Sequence, residues 1–171
     1  GLAPLRAVVR MQIHISKGYA FGELVLSRDD RRKIMTRYEI NETDKRLIEI
    51  GLEVLKQNFD DGIYNHTVGC ALLCKNGNIY KGVNCDGIHG SCAEYITMGI
   101  AISAGEREFD TIVAVHDKHL NLVIPPCGNC RQMMFEYCPD IKVIVNDENG
   151  KLIKVTARDL LPFAWQSVLC E

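Results

Sequence analysis

Four residues carry the chemistry on offer in this sequence: Cys92 and Glu94 in Ser91-Cys92-Ala93-Glu94, and Cys127 and Cys130 in Pro125-Pro126-Cys127-Gly128-Asn129-Cys130. Thiolates bind zinc tetrahedrally, and a catalytic zinc site takes three protein ligands and leaves the fourth position to water. The C-x-x-C step of Cys127 and Cys130 lets two sulfurs converge on one Zn2+, and Cys92 closes the third corner. One Zn2+ per chain is therefore expected. Glu94, two residues beyond Cys92, can project near the metal without binding it, which suits a group that takes a proton from water and hands it on.

Both motifs need a helix start. Cys92 follows the glycine-rich stretch Gly87 to Gly90 and opens an apolar helix through Ile96, Met98, Ile100 and Ala101 that stops at Gly105. Cys127 and Cys130 open a second, shorter helix through Arg131, Met134 and Phe135. Both helix dipoles then point their positive ends at the sulfurs and favour the thiolate form. Around these the pattern predicts a first helix from the capping candidates Asn41 and Thr43 to about Asn58, with Leu47, Ile48, Leu52, Val54 and Leu55 near helical spacing. A hairpin of Val68 to Cys74 and Ile79 to Val83 turns at Asn76-Gly77-Asn78. Strands follow at Thr111 to His116, Lys142 to Val145 and Leu152 to Val155, and a last helical turn at Ala157 to Leu161. This alternation predicts an α/β sandwich around a mixed sheet of about five strands.

The chain has 171 residues, 47% hydrophobic and 25% charged, which suits one globular domain with a core of its own. Its net charge of −2 and lack of a long Lys/Arg run exclude an electrostatic footprint for nucleic acid, so a small-molecule substrate is expected. Eight cysteines in a chain of this length do not make a disulfide scaffold. Cys70, Cys74, Cys85, Cys138 and Cys170 are read as small core hydrophobes or bystanders. No secretory h-region and no bilayer-length apolar run is present, so a cytoplasmic location and no membrane contact are expected. Residues 1–34 mix short apolar runs with the cluster Arg28 to Lys33 and read as an appendage to a catalytic domain at 35–171. Arg31-Arg32-Lys33-Ile34-Met35 would also suit a translated ribosome-binding site before a native start at Met35, with a structural arm as the alternative.

Ser91-Cys92-Ala93-Glu94 with Pro126-Cys127-Gly128-Asn129-Cys130-Arg131-Gln132 resembles the C-A-E and P-C-G-x-C-R-Q signatures of the small cytidine deaminases. Val68-Gly69-Cys70-Ala71-Leu72, Gly82-Val83-Asn84 and Leu160-Leu161-Pro162 are further matching pieces, so the resemblance covers roughly Asn41 to Trp165. It implies a three-layer α/β/α sandwich with a mixed five-stranded sheet. It also implies hydrolytic attack at C4 of a cytosine ring, with Glu94 protonating N3 and then the amine, and release of ammonia and a uracil product. By the same resemblance the Ala93 backbone binds the pyrimidine and Asn84 contacts the sugar. Four subunits share sites at their interfaces, and Trp165 stacks on the base of a neighbouring subunit; the alternative for Trp165 is a cover over the core edge.

Three departures stand out. Asn84-Cys85-Asp86 replaces the family's N-x-E, so Asp86 either reaches the sugar with a side chain one methylene shorter or caps a turn before Gly87. His66 stands where the family carries an aromatic. Cys92-Ala93-Glu94-Tyr95 lacks the family's Arg after Glu, which leaves Arg131 and the helix dipoles to offset three thiolates around the metal. These changes and the run Pro139 to Val145 resemble the blasticidin S deaminase branch, which acts on a cytosine-containing peptidyl nucleoside. The competing readings are a structural Cys3His zinc site completed by His89, a nucleic-acid editing deaminase, and a protein that keeps the fold without the activity.

Overall fold

The computed structural model describes residues 13–15, 18–20, 35–116 and 122–166. The chain divides into two units, Gly1–Met35 and Thr36–Glu171. The described part of the first is a two-stranded antiparallel hairpin of β1 (Ile13–Ile15) and β2 (Gly18–Ala20), which the aperiodic sequence there did not suggest. The cluster Arg28 to Lys33 lies outside the described residues.

In the second unit the elements follow in the order α1 (Glu42–Asn58), β3 (Val68–Cys74), β4 (Ile79–Val83), α2 (Ala93–Ser103), β5 (Phe109–His116), β6 (Leu122–Ile124), α3 (Gly128–Tyr137), β7 (Lys142–Asn146), β8 (Leu152–Thr156) and α4 (Ala157–Leu160). The sheet runs β4-β3-β5-β7-β8 and is mixed, because β5 and β7 are parallel and the other neighbours antiparallel. This is the expected mixed sheet of about five strands in an α/β fold. A sixth strand, β6, adds to β5. It escapes sequence reading because three apolar residues running into Pro125-Pro126 show neither period nor turn signal.

Helix α1 starts with a capping box: the Asn41 side chain accepts from the Asp44 backbone N–H at 2.9 Å, and the Asp44 carboxylate accepts from the Asn41 N–H at 2.9 Å. The same carboxylate pairs with Lys154 on β8 at 2.7 Å, both side chains largely buried, so the helix start is tied across the fold. Leu47 and Leu55 pack into one cluster with Ala71, Val113, Val115 and Ile144. Alternation along β3 sets the layers: a Cβ at Gly69 would overlap the Gly51 carbonyl of α1 and lie 2.8 Å from Leu55 Cβ, whereas Cys70 pairs in register with Gly82. A Cβ at Gly82 would meet Thr97 Oγ1 at 3.0 Å and Ile96 Cγ2 at 3.1 Å, so this second face carries α2. The bare backbone at Gly82 lets α2 sit close on the sheet, and the start of α2 is where Cys92 and Glu94 lie.

Candidate metal centre and active site

Cys92 is the N-cap of α2 and Cys127 the N-cap of α3, both with extended backbone and neither spending its side chain on a cap hydrogen bond. Cys130 lies in the first turn of α3 and is buried. The three Sγ atoms lie within 4.8 Å of one another, and those of Cys92 and Cys127 are 3.6 Å apart, hydrogen-bonded rather than joined as a disulfide. Sulfurs at two corners of a tetrahedron around zinc are separated by about 3.8 Å. Spacing and donor type therefore fit Zn2+. Among the described residues this is the group able to hold a metal, and His89 stands outside it, so the structural Cys3His alternative loses its fourth ligand.

Electrostatics point the same way. Burial raises the Cys130 thiol far above its ordinary value, and Glu94, Cys127 and Cys92 push it further. Cys92 is also raised, by burial and then by its hydrogen bond with Cys127. At Cys127 burial acts upward, but hydrogen bonds from the Cys130 backbone and the neighbouring sulfurs outweigh it and the thiol is lowered. As thiolates the three would repel one another, and a bound cation would offset that repulsion.

Glu94 is 4% exposed in the first turn of α2, and burial raises its carboxyl above the ordinary range, against hydrogen bonds from its own backbone and from Cys130. Cys70, fully buried, is raised by that burial and then by Glu94, against a hydrogen bond with Thr97. The Thr97 hydroxyl donates to the Ala93 carbonyl at 2.8 Å. A cavity of about 470 Å3 opens beside these groups, lined among others by Val68, Asn84, Asp86, Ala93, Glu94 and Cys127. That volume suits a small organic ligand.

Asn84 lines the cavity but also staples the loops beside it: its Oδ1 accepts from the Thr67 and Val68 N–H groups at 2.9 Å each, and its Nδ2 donates to the Asn65 carbonyl at 2.8 Å. One Nδ2 hydrogen remains for a ligand. His66 donates through Nδ1 to the Asn84 carbonyl at 2.7 Å, since a carbonyl can only accept, and its ring stacks on Tyr64. Asp86 accepts from Asn65 Nδ2 at 2.8 Å and from the Gly87 N–H at 3.2 Å, and the Asn65 bond leads in holding its carboxyl below the ordinary range.

Arg131 donates through Nε to the Pro126 carbonyl at 2.7 Å and through a terminal nitrogen to the Leu160 carbonyl at 3.1 Å. Its hydrogen bonds thus fix the residue before Cys127 rather than a sulfur. Trp165 is 66% exposed, yet Gln132 grips its backbone from both sides, Nε2 donating to the carbonyl at 2.8 Å and Oε1 accepting from the N–H at 3.1 Å. In the sequence Gln132 closes the P-C-G-x-C-R-Q motif without a task of its own, and no local pattern marks Asn65.

Three thiols converging on one point, a buried carboxylate on the same helix as one of them, and a ligand-sized cavity beside both define a zinc hydrolase site. The chain belongs to the cytidine and deoxycytidylate deaminase zinc-binding family, whose model matches residues 41–146. It is a zinc-dependent deaminase of α/β fold. It is 35% identical over 140 residues to a blasticidin-S deaminase of Bacillus cereus, covering 77% of this chain and 98% of that protein. It is 39% identical over 102 residues to a cytidine deaminase of Halalkalibacterium halodurans, covering 57% and 76% of the two chains. The crystal structure of cytidine deaminase from Burkholderia pseudomallei superposes with a TM-score of 0.61 at 31% identity, over 74% of this chain and all of that one. Among the described residues no helix is long and apolar enough to cross a membrane.

Proposed function

We propose that this protein removes the 4-amino group of a cytosine nucleoside, cytidine or deoxycytidine, by hydrolysis, giving the uracil product and ammonia. The observation that carries the reading is the buried Glu94 in the same helical turn as Cys92, with the Cys92, Cys127 and Cys130 sulfurs within 4.8 Å of one another at the edge of the cavity. Bound Zn2+ would supply a Lewis acid that makes water acidic near neutral pH. The chain's own groups do the rest. Glu94 takes one proton from the attacking water and delivers it to N3 of the ring. It then takes the remaining proton of the same oxygen as the C4 carbonyl forms and passes it to the amine, so that the C4–N bond breaks and ammonia leaves. The Ala93 backbone lines the pyrimidine end, while the spare Asn84 N–H and the Asp86 carboxylate meet the sugar. Arg131 acts by fixing the approach to Cys127.

The second reading, blasticidin S as substrate, is favoured by a specific observation: the match to the Bacillus cereus protein runs over 98% of that relative. Ammonia release from cytidine, deoxycytidine, free cytosine and blasticidin S separates the two. Turnover of cytidine and deoxycytidine supports pyrimidine salvage; turnover of blasticidin S alone supports detoxification; release from none contradicts both.

We further propose a homotetramer in the cytoplasm in which Trp165 reaches the base bound in a neighbouring subunit. Its exposed ring on a backbone held by Gln132 supports this. Sedimentation of a monomer with full activity would contradict it. For the domain boundary, we propose that residues 35–171 make the catalytic domain and that trimming to Met35 keeps activity.

A further inference from the structure

We infer that the sugar end of the cavity selects by charge: a cytosine nucleoside bearing an ammonium group on its sugar is taken in preference to its hydroxyl parent, one bearing a phosphate is rejected, and Asp86 decides between them. The inference rests on the reading of the site as a cytosine nucleoside deaminase and names the substrate class within it.

The first ground is the lining. Among its described residues the ionisable groups are Asp86, Glu94 and cysteine thiols, with no Lys, Arg or His. A dication among three thiolates would still leave that end with net negative charge. A phosphate brought to the sugar end therefore meets the Asp86 carboxylate with no Lys, Arg or His among the described lining residues to offset it, whereas an ammonium group is attracted.

The second ground is how Asp86 is held. Its hydrogen-bond donors are neutral, the Asn65 amide and the Gly87 N–H, so they orient it without pairing its charge. The His66 imidazole stands near it but turns Nδ1 to the Asn84 carbonyl. The loop that carries Asp86 is closed at its base by paired hydrogen bonds between Cys85 and Ser91, at 2.9 and 2.8 Å. Inside it Gly87 has φ +151 and a Cβ at Gly90 would meet the Cys85 carbonyl at 3.1 Å and Asp86 Oδ1 at 3.3 Å. On the other side Asn65 holds φ +51, a left-handed conformation that Asn tolerates better than most residues, and this brings its amide to the carboxylate. A carboxylate fixed by neutral groups from two loops, facing a cavity with no Lys, Arg or His among its described lining residues, is a receptor for a cation.

The test compares cytidine, 5′-amino-5′-deoxycytidine, 3′-amino-3′-deoxycytidine and cytidine 5′-monophosphate. kcat/KM is measured on the zinc-loaded enzyme, and Kd by calorimetry on the Glu94→Gln enzyme, each with and without Asp86→Asn. At least one amino nucleoside should exceed cytidine about three- to tenfold, as expected of a charge-assisted contact at an open site, and the monophosphate should fall about tenfold or more below it. Both gaps should narrow with Asp86→Asn and with added salt, and persist with Asp86→Glu. Amino nucleosides no better than cytidine, or an advantage that survives Asp86→Asn, would overturn the proposal. Absence of turnover on all four would sink the deamination reading instead, and the Kd order on the Glu94→Gln enzyme would still decide the charge selectivity.

Discussion

The metal end of the cavity is made by two helix starts and the proposed sugar end by two loops, and the two tolerate change differently. At the metal end Cys92 and Cys127 are N-caps, Cys130 and Glu94 are buried, and α2 is seated on a sheet surface bared by Gly82. Backbone geometry fixes where those side chains start, so their Cα positions cannot shift without moving a helix. At the sugar end Asn84, Asp86 and Asn65 are joined by side-chain hydrogen bonds between separate, exposed segments. Such a rim can be rebuilt one residue at a time while the chemistry stays in place, which is a physical reason for similarity to relatives with differently named substrates.

If that contrast holds, Cys130→Ser should have the largest effect. It replaces a buried ligand, so zinc content should fall to near zero and stability by about 3 kcal/mol or more, read by metal analysis and thermal melting. Arg131→Ala comes next. It leaves the carbonyls of Pro126 and Leu160 without their charged donor, and should cost about 1.5–3 kcal/mol of stability and about ten- to a hundredfold in zinc affinity. Reduced turnover with unchanged melting and zinc affinity would instead return Arg131 to direct charge compensation. Asn65→Ala should be milder, raising KM about two- to fivefold at nearly constant zinc content and melting temperature. A loss of zinc in that variant would mean that the two ends are mechanically one.

Glu106 gives a control remote from both ends. Hydrogen bonds from Asn78 and then Asn76 lead in holding its carboxyl below the ordinary 4.5, so the folded state favours the charged form. Its contribution is complete above the unfolded-state pKa and lost as pH falls through the lower folded-state value. The melting temperature of Glu106→Gln should therefore lie slightly below that of the natural protein near neutral pH, the gap closing in acid, without altered zinc content.

The same contrast explains what was legible in the sequence. The metal end is written in two short contiguous motifs, because a helix start places residues one to three apart in a defined way. The hairpin at Val68–Cys74 and Ile79–Val83 is equally readable from an apolar run and its Asn76-Gly77-Asn78 turn, and the helix at Glu42–Asn58 from capping and helical spacing. Strand Leu122–Ile124 was too short to carry a period. Asn65 and Asp86 lie twenty-one residues apart and meet only because β3 and β4 pair, so no local pattern announces their bond. Arg131 was recognisable as part of a motif, but its acceptors are backbone carbonyls that spacing cannot reveal.

The central claim is a division of labour, with Cys92, Cys127 and Cys130 holding the metal and Glu94 moving the protons. Its most direct test is Glu94→Gln, with zinc content and ammonia release from cytidine, deoxycytidine and blasticidin S measured on the same preparation. The account predicts about one zinc per chain, as in the natural protein, with deamination reduced by about 10²- to 10⁴-fold. Deamination that persists at the natural rate, or activity and zinc lost together, would contradict it.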